Sequence, residues 1–146
     1  MEHSEFDMLK LENQVCFPVY VLSKEIIRKY RPYLDEIGLT YTQYIAMMVM
    51  WEEKKVNVKE LGKRLYLDSG TLTPLLKSLE SKGFVKRARS EKDERVLILS
   101  ITDKGMRLRE KALKIPPKIA ACLKMDSDEA VSFYKMLYKL IGGLAD

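Results

Sequence analysis

Cysteine and histidine are scarce: the 146-residue chain holds two of the first and one of the second. Cys16 and Cys122 stand more than a hundred positions apart, so they do not form the framework of a disulfide-built secreted domain, and a reducing compartment keeps them as thiols at rest. The lone histidine, His3, leaves the chain without the three or four clustered ligands of a tetrahedral zinc site. It equally leaves no base for Cys-His or Ser-His nucleophilic catalysis, and neither G-x-x-x-x-G-K-[ST] nor G-x-G-x-x-G occurs to cradle phosphate. These absences predict no metal, no cofactor and no enzyme. Long hydrophobic runs are missing too. None nears the roughly 18 apolar residues of a membrane span, and Met1 to Lys10 is too charged for a secretory leader, which predicts a cytoplasmic protein without membrane contact.

What is present suits one globular domain spanning 1–146: 47% of residues are hydrophobic and 32% charged, enough for a core and a solvated surface. The net charge of +5 is unevenly placed, with ten basic against six acidic residues between Lys59 and Arg95. Such a stretch is either a solvated face or a phosphate-contacting surface, and charge alone does not choose between them.

Apolar periodicity orders the chain. From about Lys10 to Leu34, residues Leu11, Val15, Val19, Leu22, Ile26 and Tyr30 recur at spacings of three and four, which predicts a long helix with Cys16 in its first turns. Pro18 should bend it by removing a donor to Gln14, and Pro32 and Gly38 bracket its end. In "LTYTQY", Thr40 and Gln43 have capping-box spacing and Leu39 and Tyr44 staple spacing, so Tyr41 opens a second helix whose run "IAMMVMW" reads as core. Asn57 and Glu60 start a short helix, "VKELGKRLYL". After Asp68, Leu72, Leu75, Leu76 and Leu79 mark the buried face of another, which Gly83 stops. Its opposite face shows Gly70, Thr73, Pro74, Lys77 and Ser81. Two short helices of this kind make a helix-turn-helix candidate.

The segments "FVKRAR" and "RVLILSI", separated by "SEKDE", predict a β-hairpin with a charged tip. The fold class is therefore mainly α with a small β-hairpin wing: a winged helix-turn-helix at about 56–101, flanked by helices at about 10–34 and 103–146. Thr102 caps the helix that follows, which must kink or restart at Pro116 and Pro117. A last one opens at Asp126, with Glu129 three residues on. The apolar faces of the flanking stretches need a partner, and a second copy of the chain is the simplest.

Taken together, "GLTYTQYIAMMVMWE", "VKELGKRLYLDSGTLTPLLKSLESKGFVKR" and "SEKDERVLILSIT" resemble the MarR family of winged-helix regulators. With "LENQVCF", the likeness narrows to the organic-hydroperoxide resistance regulators, OhrR, within it. The resemblance runs from about Leu11 to the end of the wing and is weaker beyond. It implies a homodimeric repressor that binds a pseudopalindromic operator in double-stranded DNA and releases it when a cysteine of the first helix is oxidised.

On that resemblance, Cys16 is the redox-sensing residue, an organic hydroperoxide is the oxidant, and Tyr30 and Tyr41 match the phenols that reach the sulfur across the dimer interface. Phenolic hydroxyls can donate to a thiolate without adding charge. Tyr20, four residues after Cys16, is a weaker candidate on the same helix face. Cys122 corresponds to a second cysteine that some members use to capture the oxidised first one. The residues alone leave Cys16 and Cys122 open between reactive thiols and small buried hydrophobes.

For DNA, the family pattern and the helix spacing both turn Ser69, Thr71, Thr73 and Pro74 to the major groove. Lys77, Arg87 and Arg89 are expected at phosphates. Arg95 matches the family's minor-groove arginine, with Asp93 holding its guanidinium. Pro74 costs nothing in a first turn and kinks the helix if deeper. Two rival functions stay open: a regulator of the same fold that responds to a non-covalent hydrophobic or phenolic ligand, and a thiol peroxidase.

Overall fold

A computed structural model describes residues 4–145; His3 lies outside the described residues. The chain divides into two compact units, Met1–Leu113 and Lys114–Asp146. The first carries helices α1 (Cys16–Glu36), α2 (Tyr41–Glu53), α3 (Val58–Leu65), α4 (Ser69–Ser81) and α5 (Asp103–Ala112), and strands β1 (Lys55–Asn57), β2 (Val85–Arg89) and β3 (Leu97–Ile101).

Helix α2 is the hub. It is apolar nearly all round, so it can be buried from several sides, and it packs against α1, α3, α4 and α5. Tyr44, Ala46, Met47 and Met50 are all but inaccessible. Leu72, Leu75, Leu76 and Leu79 of α4, Leu61 of α3 and Leu99 of β3 are buried with them. Each such side chain contributes about 1.5–3 kcal/mol relative to an exposed one. The capping box forms as the sequence predicts: Thr40 Oγ1 accepts from Gln43 N, and Gln43 Oε1 accepts from Thr40 N.

The wing is antiparallel, with Val85 opposite Ile101 and Arg89 opposite Leu97. The sheet has a third strand that the sequence reading lacks. β1 pairs with β3 from Lys55 opposite Ser100 to Asn57 opposite Ile98, giving the order β1-β3-β2. Three residues, Lys-Val-Asn, are too short to show a period of two. At the other end of the wing, Thr102 caps α5 by accepting from Gly105 N at 3.0 Å. Its hydroxyl also donates to the Gly83 carbonyl at 2.6 Å.

The first helix is corrected in three ways. It starts at Cys16, not near Lys10; two short 3-10 turns, Glu5–Leu9 and Leu11–Asn13, precede it. Pro18 is therefore its third residue, where no intrahelical donor is required, and the expected reason for a bend is gone. Pro32 lies inside α1 rather than at its end, because the helix runs on to Glu36 before Gly38, at φ 71°, turns the chain.

The second unit holds α6 (Ile115–Leu123) and α7 (Ser127–Leu144). The chain restarts at the two prolines, which occupy the first turn of α6 and lose no bond there. Asp126 and Glu129 complete the capping box of α7. No residue of α7 is buried, although Val131, Tyr134, Met136, Tyr138, Leu140, Ile141 and Leu144 are large and apolar. No helix among the described residues is long and apolar enough to cross a membrane.

Candidate functional site

Helix α4 begins where Asp68 Oδ1 accepts from Thr71 N at 2.8 Å. Its leucines turn inward, which leaves Ser69, Thr71, Thr73, Pro74 and Lys77 exposed. Pro74 is the sixth helical residue, deeper than a first turn, so the Gly70 carbonyl receives no bond from position 74. In the turn before α4, Tyr66 adopts the left-handed conformation at φ 55° and closes α3. A residue with a side chain is uncommon in that conformation. Beside it a groove of about 690 Å³ runs between α3, α4 and the wing, with Val58, Leu67, Leu72, Val96 and Leu97 in its walls.

At the wing tip a single oxygen, Asp93 Oδ1, accepts from Arg95 N at 3.0 Å and from Arg95 Nε at 3.2 Å. The pairing is a bridge to one oxygen, and the Arg95 side chain remains 91% exposed. Arg89 is exposed as well. Arg87 is engaged within the protein: its Nη2 and Nε donate to Glu80 Oε1 at 3.0 and 3.3 Å, and its backbone N donates to Oε2 at 2.8 Å. These bonds, the backbone one foremost, hold the Glu80 carboxyl below its ordinary range. The sequence reading assigned Arg87 to phosphate because a partner seven positions back, across a helix-to-strand turn, leaves no periodic signal.

Cys16 is the first residue of α1 and is exposed. The unpaired N–H groups of a helix's first turn favour negative charge nearby. Tyr20 is exposed one turn on, with the Lys24 ammonium 5.1 Å from its ring centre. Tyr30 and Tyr41 meet edge to face with centroids 5.0 Å apart, and Tyr44 lies 5.8 Å from Tyr30. Burial raises the pKa of both Tyr30 and Tyr41, with a smaller contribution at Tyr30 from Tyr41. Both are thus hydrogen-bond donors at neutral pH. A recess of about 190 Å³ beside them is lined by Ile27, Leu34, Leu39 and Tyr41, with Arg31 and Asp35 among its other walls.

One distance governs this cluster. Cys16 and Tyr30 are both on α1, and fourteen residues at 1.5 Å each separate them by about 21 Å along the axis. The phenols therefore do not touch the sulfur of their own chain. Cys122, on α6, is exposed and not a buried hydrophobe. The described residues include no group of His, Cys, Asp and Glu arranged to hold a metal.

Residues 22–112 match the transcriptional regulator family SarA/Rot. The chain is also 44% identical over 138 residues to the organic hydroperoxide resistance transcriptional regulator of Bacillus subtilis (strain 168), covering 94% of each. The chain belongs to the SarA/Rot-type winged-helix transcriptional regulators. Another relative of this regulator, the HTH-type transcriptional regulator SarZ of Staphylococcus saprophyticus, is 47% identical over 131 residues and 90% of each chain. Among solved structures, reduced AbfR bound to DNA superposes on the SarA/Rot-type chain with a TM-score of 0.78 at 34% identity, covering 98% of this chain and 100% of that one. A MarR mutant from E. coli complexed with operator DNA has a TM-score of 0.82 over 94% of this chain and 99% of its own, and at 22% identity it speaks for the fold alone. The MarR-type winged helix expected from the sequence is thereby shown, as is the likeness to the hydroperoxide regulators.

Two members of the site in this SarA/Rot-type regulator escaped the sequence reading. Tyr44 was assigned to the staple only, although it follows Tyr41 by three and so shares its helix face. Glu80 was counted as one of six acidic residues in a basic stretch rather than as the partner of Arg87.

Proposed function

We propose that this regulator binds duplex DNA as a homodimer while Cys16 is reduced and lets go when an organic hydroperoxide oxidises Cys16. The observation that carries the reading is the separation of Tyr30 and Tyr41 from their own Cys16 along α1. The phenols, with Tyr41 in the wall of a recess that also holds Arg31 and Asp35, need a thiol from a second chain, and the exposed apolar residues of α1 (Phe17, Val19, Leu22) and of α7 supply surface for that second chain to cover. Supporting it are the hydroperoxide-resistance relative and the solved structures of AbfR in a reduced DNA-bound and a disulfide form.

In the chemical step the Cys16 thiolate attacks the terminal oxygen of the hydroperoxide. A sulfur–oxygen bond forms, the oxygen–oxygen bond breaks, and the alkoxide leaves as an alcohol after taking a proton. Sulfur is oxidised to the sulfenic acid. A second thiol then displaces water to give a disulfide. Cys122 of the other subunit is our choice for that thiol. Ser69, Thr71, Thr73 and Pro74 would read the major groove, Lys77 and Arg89 would meet phosphates, and Arg95, steadied by Asp93, would enter the minor groove. Arg87 instead fastens β2 to α4 through Glu80. The sensor is stoichiometric rather than a turning-over peroxidase, and it works in the cytoplasm.

The deciding experiment titrates a duplex, selected by the reduced wild type from a random pool, before and after one equivalent of tert-butyl hydroperoxide. Wild type should release it and Cys16→Ser should not. Release by Cys16→Ser would end the assignment. A reducible dimer on a denaturing gel is expected from the oxidised wild type and not from Cys122→Ser. One observation favours a second reading: the apolar groove beside Tyr66 suits a non-covalent hydrophobic ligand. In that case peroxide would not be consumed at all and oxidation would leave the affinity unchanged.

A further inference from the structure

Among the described residues Gln43 is the buried polar one, 6% exposed, and it directly precedes the apolar run from Tyr44 to Trp51. A buried amide must have each of its polar atoms satisfied or it costs stability, and a capping box explains only part of what Gln43 does. The box uses Gln43 Oε1, which accepts from Thr40 N at 3.1 Å. It needs nothing from the amide nitrogen. Yet Gln43 Nε2 donates to Ser78 Oγ at 3.0 Å, a bond that crosses from α2 to α4. Lys82, the residue closing α4, adds a second tie. Its Nζ donates to Gln43 Oε1 at 2.9 Å and to the Gly38 carbonyl at 2.7 Å, on the turn that leads into α2.

Position makes these bonds more than local. Tyr41 is the first residue of α2, two before Gln43, and its ring rests on Tyr30. Ser78 belongs to the same helix as the exposed Ser69, Thr71, Thr73 and Pro74. Leu72, Leu75, Leu76 and Leu79 of α4 and Tyr44, Met47 and Met50 of α2 are otherwise buried among apolar neighbours, and such burial is not directional. Directed hydrogen bonds in a low-dielectric interior fix one register. A methionine in place of Gln43 would fill a similar volume with no buried polar group, so the amide serves the geometry rather than the volume.

We propose that Gln43, with Ser78 and Lys82, is a positioning cluster that couples the Tyr41 end of α2 to the recognition helix. When oxidation of Cys16 displaces Tyr41, the capping turn moves, and the Gln43–Ser78 and Lys82–Gly38 bonds carry that displacement into α4. The inference rests on the sensor reading above and adds to it the element through which the thiol's state reaches DNA.

The test compares wild type, Ser78→Ala and Ser78→Thr as full-length proteins, with tert-butyl hydroperoxide as oxidant and the same selected duplex. Three quantities are read: the rate of Cys16 sulfenic acid formation by dimedone trapping, the affinity of the reduced protein, and the fold-loss of affinity on oxidation. Ser78→Ala should oxidise at the wild-type rate, bind when reduced within about threefold of wild type, and lose at least tenfold of the oxidation-linked drop. Ser78→Thr, which keeps the hydroxyl, should restore it. A merely structural role would lower reduced and oxidised affinities alike, and that result overturns the proposal, as does a Ser78→Ala protein with the full wild-type drop. Gln43→Met, which breaks the capping box too, should lose the drop as Ser78→Ala does; a full drop there also overturns the coupling. If wild type itself keeps the duplex after oxidation, the sensor reading falls first and the coupling with it.

Discussion

Tyr44 is 1% exposed, and burial, helped by Tyr30 and Tyr41, pushes its pKa from 10.0 up to about 12. A folded-state pKa above the unfolded one means that the native state holds the proton more tightly. Its contribution is complete below pH 10 and is lost as pH rises toward 12. The urea midpoint should fall across that window, and Tyr44→Phe should flatten the fall; an equally steep fall in the mutant would assign the effect to other groups. At the same scale, Arg95→Ala should weaken DNA binding, and Lys77→Ala or Arg89→Ala should also make the salt dependence shallower, since each neutralised phosphate contributes a slope of about −0.9. Affinity titrations at several salt concentrations check this, with Arg87→Ala expected to cost folding stability first because it removes both guanidinium bonds to Glu80 and leaves only the backbone one. What the sequence disclosed of these residues was uneven. Cys16, Tyr30 and Tyr41 were named from the family resemblance, and so was Arg95 with Asp93. The pairing of Arg87 with Glu80 was not foreseen, because ion pairing across a turn depends on a fold, not on spacing.

Elements were legible where a signal is local. The caps expected at Thr40, Thr102 and Asp126 all form, since a side-chain oxygen three residues ahead of a free N–H is a short-range fact. The start of α1 was not, because Leu11, in a 3-10 turn, and Val15, at the N-cap of α1, continue the apolar spacing ahead of the helix, and both stay exposed. β1 was missed for want of length. The junction of α5 with the wing offers a sharp test. A Cβ on Gly105 would lie 2.2 Å from the Phe84 carbonyl oxygen, which no side-chain rotation relieves. Gly105→Ala should therefore destabilise the first unit by at least about 2 kcal/mol, read as a lowered Tm and urea midpoint. A mutant of wild-type stability would mean that α5 can move away from the wing without loss.

For the molecule as a whole, apolar surface is the dominant feature. Phe17, Val19, Tyr20, Leu22 and Ile27 on α1 are exposed in the single chain, and so is most of the apolar side of α7. Large apolar side chains exposed in series along a helix mark a surface that a partner covers. Coupling between assembly and folding follows by mass action, so Tm should rise with protein concentration across the micromolar range. A Tm independent of concentration, with a monomeric mass in solution, would contradict the homodimer. The sequence foresaw this need for a partner from the flanking helices alone, yet it gave no hint that the chain divides at Leu113, because a helix that restarts at Pro116 looks the same whether or not a unit boundary falls there.

The indole of Trp51, the only tryptophan in the chain, donates through Nε1 to the Gly105 carbonyl at 2.9 Å, and its ring stands 6.3 Å from that of Tyr44. The protein thus carries its own fluorophore at the meeting of α2 and α5. Light absorbed by the neighbouring phenols passes to this one emitter, and the colour and intensity of its emission respond to its surroundings, the hydrogen bond to the Gly105 carbonyl of α5 among them. Rearrangements between the two helices can be followed by that emission in unlabelled protein, in real time and at concentrations well below those at which structures are solved.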